Sequence, residues 1–393
     1  MRSGRFAVST AFLFFGITAG SFLARLSAIK EHIGLTDGQV GVAFLMFAIG
    51  AVVSAGGGRL LLARGARRPV RIGVFLMCAL LAGPGLAPSF VALALVFLLT
   101  GACAGGVDML INSQATDIER TSGRPMINSF HGYWSLGAIV GSALAVGAAA
   151  AAIPPSIHLT VVGVGLAIAS VPLVAAVPDT RGGAAVLLAP GSGWWRVGGA
   201  VAVISLLALV SVTVEGAGGD WSAIYLRDFG RAPESVAALG FGVLSVAMTL
   251  VRFTADRLTA ISSTRAVTAL GGLVAGLGFL LAVAFPAPVI SLAGFALVGA
   301  GAAVLFPLAM TAASNLDARG NALSFVTAAG YAGSIIAPPL IGTAADHFGL
   351  RLALIIPAVA ALSVVGMMAS TRVLSSRTSR RSSDATERVE SEA

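Results

Sequence analysis

Charged residues are scarce in this sequence. Asp, Glu, Lys and Arg make up 11% of its 393 residues, whereas hydrophobic residues make up 57%. Soluble domains carry about 25% charged residues on average, because their surfaces face water. This composition excludes an ordinary soluble domain and indicates a protein embedded in a membrane.

Cysteine and histidine are also few. Cys78 and Cys103 both lie inside apolar stretches, so the sequence predicts neither a disulfide framework nor a cysteine metal site. The four histidines lie in separate segments, without the spacing of metal ligands. The sequence has no Walker-type phosphate loop and no serine nucleophile elbow. We therefore expect no enzyme activity, no metal and no cofactor.

Twelve apolar stretches follow one another along the chain. They cover about 6–28, 38–62, 70–88, 90–113, 128–152, 157–177, 197–219, 236–256, 266–286, 288–312, 322–345 and 351–371. A helix needs about 20 residues to cross a bilayer, and only helices satisfy their own backbone hydrogen bonds there. The sequence predicts an all-α membrane protein with twelve transmembrane helices, whose 49 glycines allow close helix packing.

The basic residues fall on alternate connections. If both termini are cytoplasmic, 20 of the 25 basic residues lie on the cytoplasmic side. The other five are Arg25, Lys30, Arg227, Arg231 and Arg351. This asymmetry follows the positive-inside rule and predicts a multi-pass protein of the cytoplasmic membrane. It also explains the net charge of +8 without a nucleic-acid partner.

The longest internal polar stretch divides the chain into two halves. We predict a six-helix N-terminal half at 1–178, a cytoplasmic linker at 179–196, a six-helix C-terminal half at 197–372 and a disordered cytoplasmic tail at 373–393. The halves share residues at an offset of 198, for example Gly101 with Gly299. This repeat predicts two pseudo-symmetric halves, a plan in which a solute binds at the midplane between them.

Two loops resemble a family signature. The loop after the second span runs from Gly58 through Arg64 and Gly65 to Arg67 and Arg68. It is similar to the G-x-L-x-D-R-x-G-R-R signature of the major facilitator superfamily, although Leu62 occupies the acidic position. The region after the eighth span repeats the signature with Asp256 and Arg257 but lacks its leading glycine. The resemblance implies the twelve-helix fold of that superfamily, with these residues acting in conformational change.

Three further stretches resemble the MosC/YbjJ-like branch of the superfamily, which is related to fucose-permease-type proton symporters. They are 24–30, 108–112 running on to 130–137, and 215–222. The branch resemblance implies a polar metabolite such as a sugar or cyclitol as the substrate.

Asp108 is the sharpest single candidate for function. It lies near the middle of the fourth span, where a carboxylate costs about 2.5–3.5 kcal/mol and needs a cavity or a partner. Asn112 follows at i+4 on the same helical face, and His131 near the start of the fifth span can titrate. We predict one cluster of Asp108, Asn112 and His131 for proton coupling or substrate binding, with Tyr133 and Trp134 nearby. The alternative is a structural role for each.

The outer end of the seventh span predicts a gate. We place Glu215 and Asp220 at the outer rim, with Trp221 as an aromatic partner and Arg25 as the counter-charge of Glu215. The alternative is an interfacial ion pair with an aromatic belt.

Together these patterns predict a monomeric secondary transporter that works by alternating access. Its partners would be a small-molecule substrate, protons and the lipid bilayer. Proton-coupled import of a sugar- or cyclitol-like solute is preferred over proton-coupled export of a drug or secondary metabolite. A non-transporting sensor or scaffold is the remaining alternative.

Overall fold

The computed structural model of the chain describes residues 2–63, 65–122, 126–179, 198–316 and 321–371. Except for Asp179, the predicted linker at 179–196 lies outside the described residues, as does the predicted tail at 373–393. Every regular element in the described ranges is a helix, which confirms the all-α prediction.

The described residues form sixteen helices. In chain order these are α1 (Arg2–Leu23), α2 (Leu26–Ile33), α3 (Asp37–Ala63), α4 (Arg67–Leu80), α5 (Ala82–Leu86), α6 (Phe90–Ser122), α7 (Ile127–Ala150), α8 (Pro155–Leu173), α9 (Gly199–Asp228), α10 (Glu234–Ala237), α11 (Leu239–Ile261), α12 (Thr264–Ala284), α13 (Pro288–Leu316), α14 (Asn321–Phe348), α15 (Leu350–Ala353) and α16 (Ile355–Ser370). Within them, twelve helical segments are long and apolar enough to cross a membrane. Three of these segments join two helices each: α4 with α5, α10 with α11, and α15 with α16. The prediction of twelve spans is confirmed.

Several predicted boundaries differ from the structure, and two of these differences bear on the site. The first span ends at Leu23 rather than at 28, and the chain turns there into the separate short helix α2. The seventh span continues to Asp228 rather than ending at 219. Its glycines do not break it: a Cβ at Gly218 would meet side chains of α11 and α13 at 2.6 and 2.9 Å. Gly218 therefore serves close packing between helices and not a bend.

The surface of the helix bundle is strongly apolar. Val161, Ile261 and Val289 expose 66%, 83% and 78% of their surface. Contiguous apolar surface is rare on soluble proteins but is what lipid tails solvate. The chain is therefore a multi-pass membrane protein.

The helices pair in the same way in both halves. In the first half, α1 packs on α7 and α3 packs on α6; in the second, α9 packs on α14 and α11 on α13. The halves meet mainly through α3 against α14 and α7 against α11. The fold therefore consists of two pseudo-symmetric six-helix halves, as predicted.

Gly101 and Gly299 show this symmetry at the level of single atoms. A Cβ on Gly101 of α6 would collide with the Phe47 backbone of α3. A Cβ on Gly299 of α13 would collide with the Leu244 backbone of α11. The two glycines are equivalent positions of the repeat, and each lets two helices touch backbone to backbone.

This contact predicts the effect of adding one methyl group. Gly101→Ala should lower the melting temperature of the purified protein in detergent, because over-packing a tight contact costs about 1–3 kcal/mol. Gly147→Ala is the matched control, because nothing lies within 4 Å of a Cβ there and alanine favours a helix. Equal melting temperatures of the two variants would contradict the backbone contact.

Candidate functional site

A cavity of about 570 Å³ lies between the two halves. This cavity, called the chamber below, is lined from the first half mainly by α1, α3 and α6, and from the second by α9, α11, α13 and α14. Most lining residues are apolar; the polar side chains among them include Thr18, Thr100, Glu215, Asp220, Arg252, Tyr331 and Ser334. A mostly apolar cavity with a few polar groups is the usual form of a small-molecule site.

Three phenylalanines from three helices form one continuous aromatic wall of the chamber. The ring centroid of Phe97 lies 5.2 Å from that of Phe22 and 5.4 Å from that of Phe44, each in an edge-to-face arrangement. Phe22 and Phe44 are 6.4 Å apart. Such contacts fix the rings relative to one another, so the wall presents a defined apolar surface.

Helix α9 supplies the acidic side of the chamber through Glu215 and Asp220. The Glu215 carboxylate lies 3.7 Å from the Arg252 guanidinium of α11, and both side chains are about one-third exposed. Trp221 is fully buried beside Asp220 in the chain, and its indole N–H has no acceptor among the described residues.

The predicted position and partner of Glu215 are therefore wrong. Glu215 lies 13 residues before the last residue of α9, about 20 Å from that end, and not at the rim. Because the predicted span stopped too early, its middle was mistaken for its end. Arg25 pairs instead with Glu234, at 2.9 Å.

Asp108 lies near the middle of α6, as predicted. The Asn112 amide donates hydrogen bonds to the Asp108 carboxylate at 3.0 Å and to its backbone carbonyl at 2.9 Å. Across the boundary between the halves, the charge of Asp108 acts on Tyr331. Asp108 does not line the chamber, but Tyr331 does.

His131 does not join this pair in the structure. Its ring packs edge-on against Phe12, with the centroids 5.3 Å apart. No hydrogen bond or ion pair in the described ranges links His131 to Asp108 or Asn112, so the predicted three-residue cluster is not formed. The charge of Arg252, which belongs to the other half, acts instead on the His131 ring.

The two aromatic residues after His131 have different surroundings. Tyr133 is 40% exposed. Trp134 borders a small cleft together with Glu215, and so connects α7 to the acidic side of α9. The structure thus places Trp134, but not Tyr133, next to a predicted site residue.

The halves are joined by polar contacts at one end of the bundle, called the closed face below, where α1 ends and α3 begins. Arg25 is fully buried there. Its guanidinium pairs with Glu234 and also donates to the Ile153 carbonyl at 2.6 Å. Burial lowers the pKa of Arg25 from its ordinary value, and the charge of Glu234 opposes that shift.

Lys30 adds a second bridge at the closed face. Its ammonium lies 2.6 Å from carboxylate oxygens of both Asp37 and Asp228. Burial acts to lower the pKa of Lys30, but its hydrogen bonds to the two carboxylates and their charges outweigh burial and raise it. Lys30 therefore stays charged while it holds α9 against the first half.

Two more contacts complete the closed face. Glu31 accepts hydrogen bonds of 3.0–3.2 Å from the Arg227 guanidinium. Asp346 of α14 accepts from the Gly38 backbone N–H at 3.0 Å and from the Thr36 hydroxyl at 3.1 Å. Asp346 therefore caps the first turn of α3 from the other half.

The predicted loop signature lies at the opposite face. Gly65 has a φ of +105°, which favours glycine, and Arg67 donates to the Val177 carbonyl at 2.9 Å. Arg68 and Arg257 are exposed there. Arg64 lies outside the described residues, and for Gly58 and Asp256 only the helical backbone is described. In the part of the chain that is described, no ion pair joins the two halves at this face.

Sequence reasoning missed four residues that the structure brings into the site: Arg252, Tyr331, Glu234 and Asp346. Arg252 left a signal, because a charge inside a predicted span needs a partner or a cavity. It occupies the position where the loop signature after the eighth span would have its leading glycine. Glu234 and Asp346 left none, since both lie at span ends, where carboxylates are common.

Across the described ranges, no three His, Cys, Asp or Glu side chains are grouped as metal ligands.

The sequence is similar to proteins of known class. Residues 201–391 match the family model of the Major Facilitator Superfamily. The transporter y4wD of Sinorhizobium fredii is 34% identical over 353 residues, covering 88% of this chain and 92% of that protein. The membrane protein MosC of Rhizobium meliloti is 28% identical over 353 residues, covering 89% and 85%.

The fold is similar to that of solved transporters. A mutant of the nucleoside transporter NupG superposes with a TM-score of 0.76 at 14% identity, covering 93% of this chain and 99% of that one. Through its sequence relatives, this chain belongs to the major facilitator superfamily, a family of membrane transporters and not of enzymes.

Proposed function

We propose that this transporter moves a small organic solute across the cytoplasmic membrane by proton-coupled alternating access. The observation that carries the proposal is a chamber between two halves that are bridged at one face only, among the described residues. Such a cavity can take up a solute from one side while the other side is shut. Both halves belong to one chain, so a monomer suffices.

The distribution of arginine supports an orientation for this arrangement. With both termini in the cytoplasm, the closed face is the outer one and the chamber communicates with the cytoplasm. The conformation is then inward-facing. To bind solute from outside, the transporter must break the Arg25–Glu234 and Lys30–Asp228 contacts and bring the halves together at the opposite face.

Asp108 is our candidate for the coupling proton. Its carboxylate is held by an amide from its own helix and has no cation within ion-pair distance in the described ranges. Its charge also acts on Tyr331 of the other half. Protonation of Asp108 would remove a charge from the boundary between the halves, and so can shift their equilibrium.

The lining of the chamber bears on the two substrate classes. Import of a sugar- or cyclitol-like solute is supported by the polar groups on α9, α11 and α14, and by the branch resemblance. Export of a drug-like or secondary metabolite is the second candidate. The aromatic wall of Phe22, Phe44 and Phe97 supports it, because a fully hydroxylated solute would leave its hydroxyls unpaired there.

Neutralising Asp108 tests the coupling. In proteoliposomes with a trapped pH dye, pools of sugars, cyclitols and amines should include a solute that moves protons. Asp108→Asn should reduce that proton movement to the level of empty liposomes, because the asparagine amide does not bind and release a proton at physiological pH. Asp117→Asn is the control, since within the described residues the ion pair of Asp117 is with the exposed Arg120 of its own helix. Unchanged proton flux in Asp108→Asn would exclude Asp108 as the coupling group.

Removing the charge of Glu234 tests whether the Arg25–Glu234 pair holds the closed face shut. Glu234→Gln leaves Arg25 buried without a counter-charge, which costs about 3–5 kcal/mol in comparable pairs and should favour opening. A cysteine at buried Ser142, with Cys78 and Cys103 replaced by alanine, should then react at least about tenfold faster with an impermeant maleimide.

The control for this experiment is Glu31→Gln. The Glu31 side chain is exposed and that of its partner Arg227 is about one-third exposed, and such solvent-accessible pairs are worth only about 0.2–1 kcal/mol. The labelling rate should therefore change little. If the two variants react at the same rate, the buried pair does not hold the closed face.

A further inference from the structure

Asp220 lacks the protein partner that the other acidic groups of the site possess. Glu215 faces Arg252, Glu234 faces Arg25, and Asp108 accepts from Asn112. In the part of the chain that is described, no cation and no hydrogen-bond donor pairs with the Asp220 carboxylate, which lines the chamber. A carboxylate away from bulk water and without a partner is costly. The missing partner can be a bound ligand.

The charge balance of the chamber points to a cation. Three of its lining residues are charged: Glu215, Asp220 and Arg252. Glu215 and Arg252 offset each other at 3.7 Å. When Asp220 is ionised, it therefore leaves one negative charge uncompensated in a largely apolar cavity. A ligand with one positive charge restores neutrality there, whereas a neutral solute does not.

Asp220 lies at the depth of Phe44 and Phe97, two of the three rings of the aromatic wall. It is eight residues from the last residue of α9, whereas Phe44 and Phe97 are each seven residues from the first residue of α3 and α6. All three of those helix ends lie on the closed-face side. At a rise of 1.5 Å per residue, all three side chains are about 10–12 Å from these ends. The carboxylate and these two rings are thus contributed by opposite halves at one level.

We propose that the chamber binds an amphipathic organic cation, with its ammonium or phosphonium centre at Asp220 and its apolar body against Phe22, Phe44 and Phe97. This inference rests on the proposed transport function and names the substrate class for it. Aromatic faces attract cations as well as apolar groups, so the wall suits both parts of such a ligand. Asp220 then determines specificity, while Asp108 remains the proton group.

Binding of radiolabelled tetraphenylphosphonium to the purified full chain in detergent tests the inference directly. The wild-type chain should bind the probe saturably, and Asp220→Asn should weaken the affinity at least about tenfold. Asp117→Asn, the same chemical change outside the chamber, should bind as the wild type does. Phe22→Leu should weaken binding about two- to fivefold, because it removes one aromatic face and keeps an apolar side chain.

A matched pair of competitors separates charge from apolar contact. Phenethyltrimethylammonium should displace the probe, whereas its neutral carbon isostere, 3,3-dimethylbutylbenzene, should not. Equal displacement by both compounds, or wild-type affinity in Asp220→Asn, would overturn the inference. If Asp220→Asn does not elute as a single species, Asp220→Glu replaces it, and wild-type-like discrimination between the competitors would support the inference.

The binding experiment and the transport experiment can fail separately. If no cation binds but a sugar or cyclitol drives proton movement in proteoliposomes, the cation inference fails and the transport function stands. If tetraphenylphosphonium binds through Asp220 but no solute moves, the site stands and the transport proposal fails.

Discussion

A charged side chain in a membrane protein must have either a counter-charge or access to water, and the arrangement of this transporter follows from that constraint. Arg25 is fully buried and has Glu234. Lys30 lies between two carboxylates, and Arg252 has Glu215. Apart from Arg252 with Glu215, these contacts are concentrated where the two halves meet at the closed face. The groups that cannot be placed in lipid therefore hold the halves together, while Asp220 remains for the chamber.

Close packing between helices within each half holds these charged side chains in fixed positions. Gly101 and Gly299 bring α6 against α3 and α13 against α11 at backbone distance, and the same pairing recurs in both halves. Helices this close cannot slide past one another without large steric cost. Each half can therefore move as a unit, and relative movement is confined to the boundary that carries the ion pairs and the chamber. Rigid halves and a polar boundary are what alternating access requires.

The sequence predicted those features that depend on composition and spacing. The twelve spans follow from apolar length, the repeat from the offset between Gly101 and Gly299, and the position of Asp108 from helical rise. It did not predict the partner of Arg25, because Glu215 and Glu234 are both acids of the second half and only the packing decides between them. It also misplaced Glu215, because glycines that serve close contact were interpreted as a helix end. The pattern of residues within one span does not show which other helix packs against it.

At the closed face, Asp346 accepts hydrogen bonds from the first turn of α3, and water can replace it as the acceptor of these bonds. The first turn of α3 already has its own capping contacts, since the Thr36 hydroxyl accepts from the Gln39 N–H and the Gln39 side chain accepts from the Thr36 N–H. If the halves separate at this face as proposed, the groups of this turn that lose the Asp346 carboxylate are the Gly38 N–H and the Thr36 hydroxyl. Both lie at a helix end where solvent can enter, so hydration substitutes for the lost contact. Helix α3 therefore keeps its structure when its contact with Asp346 breaks, and this contact can form again without refolding of the helix.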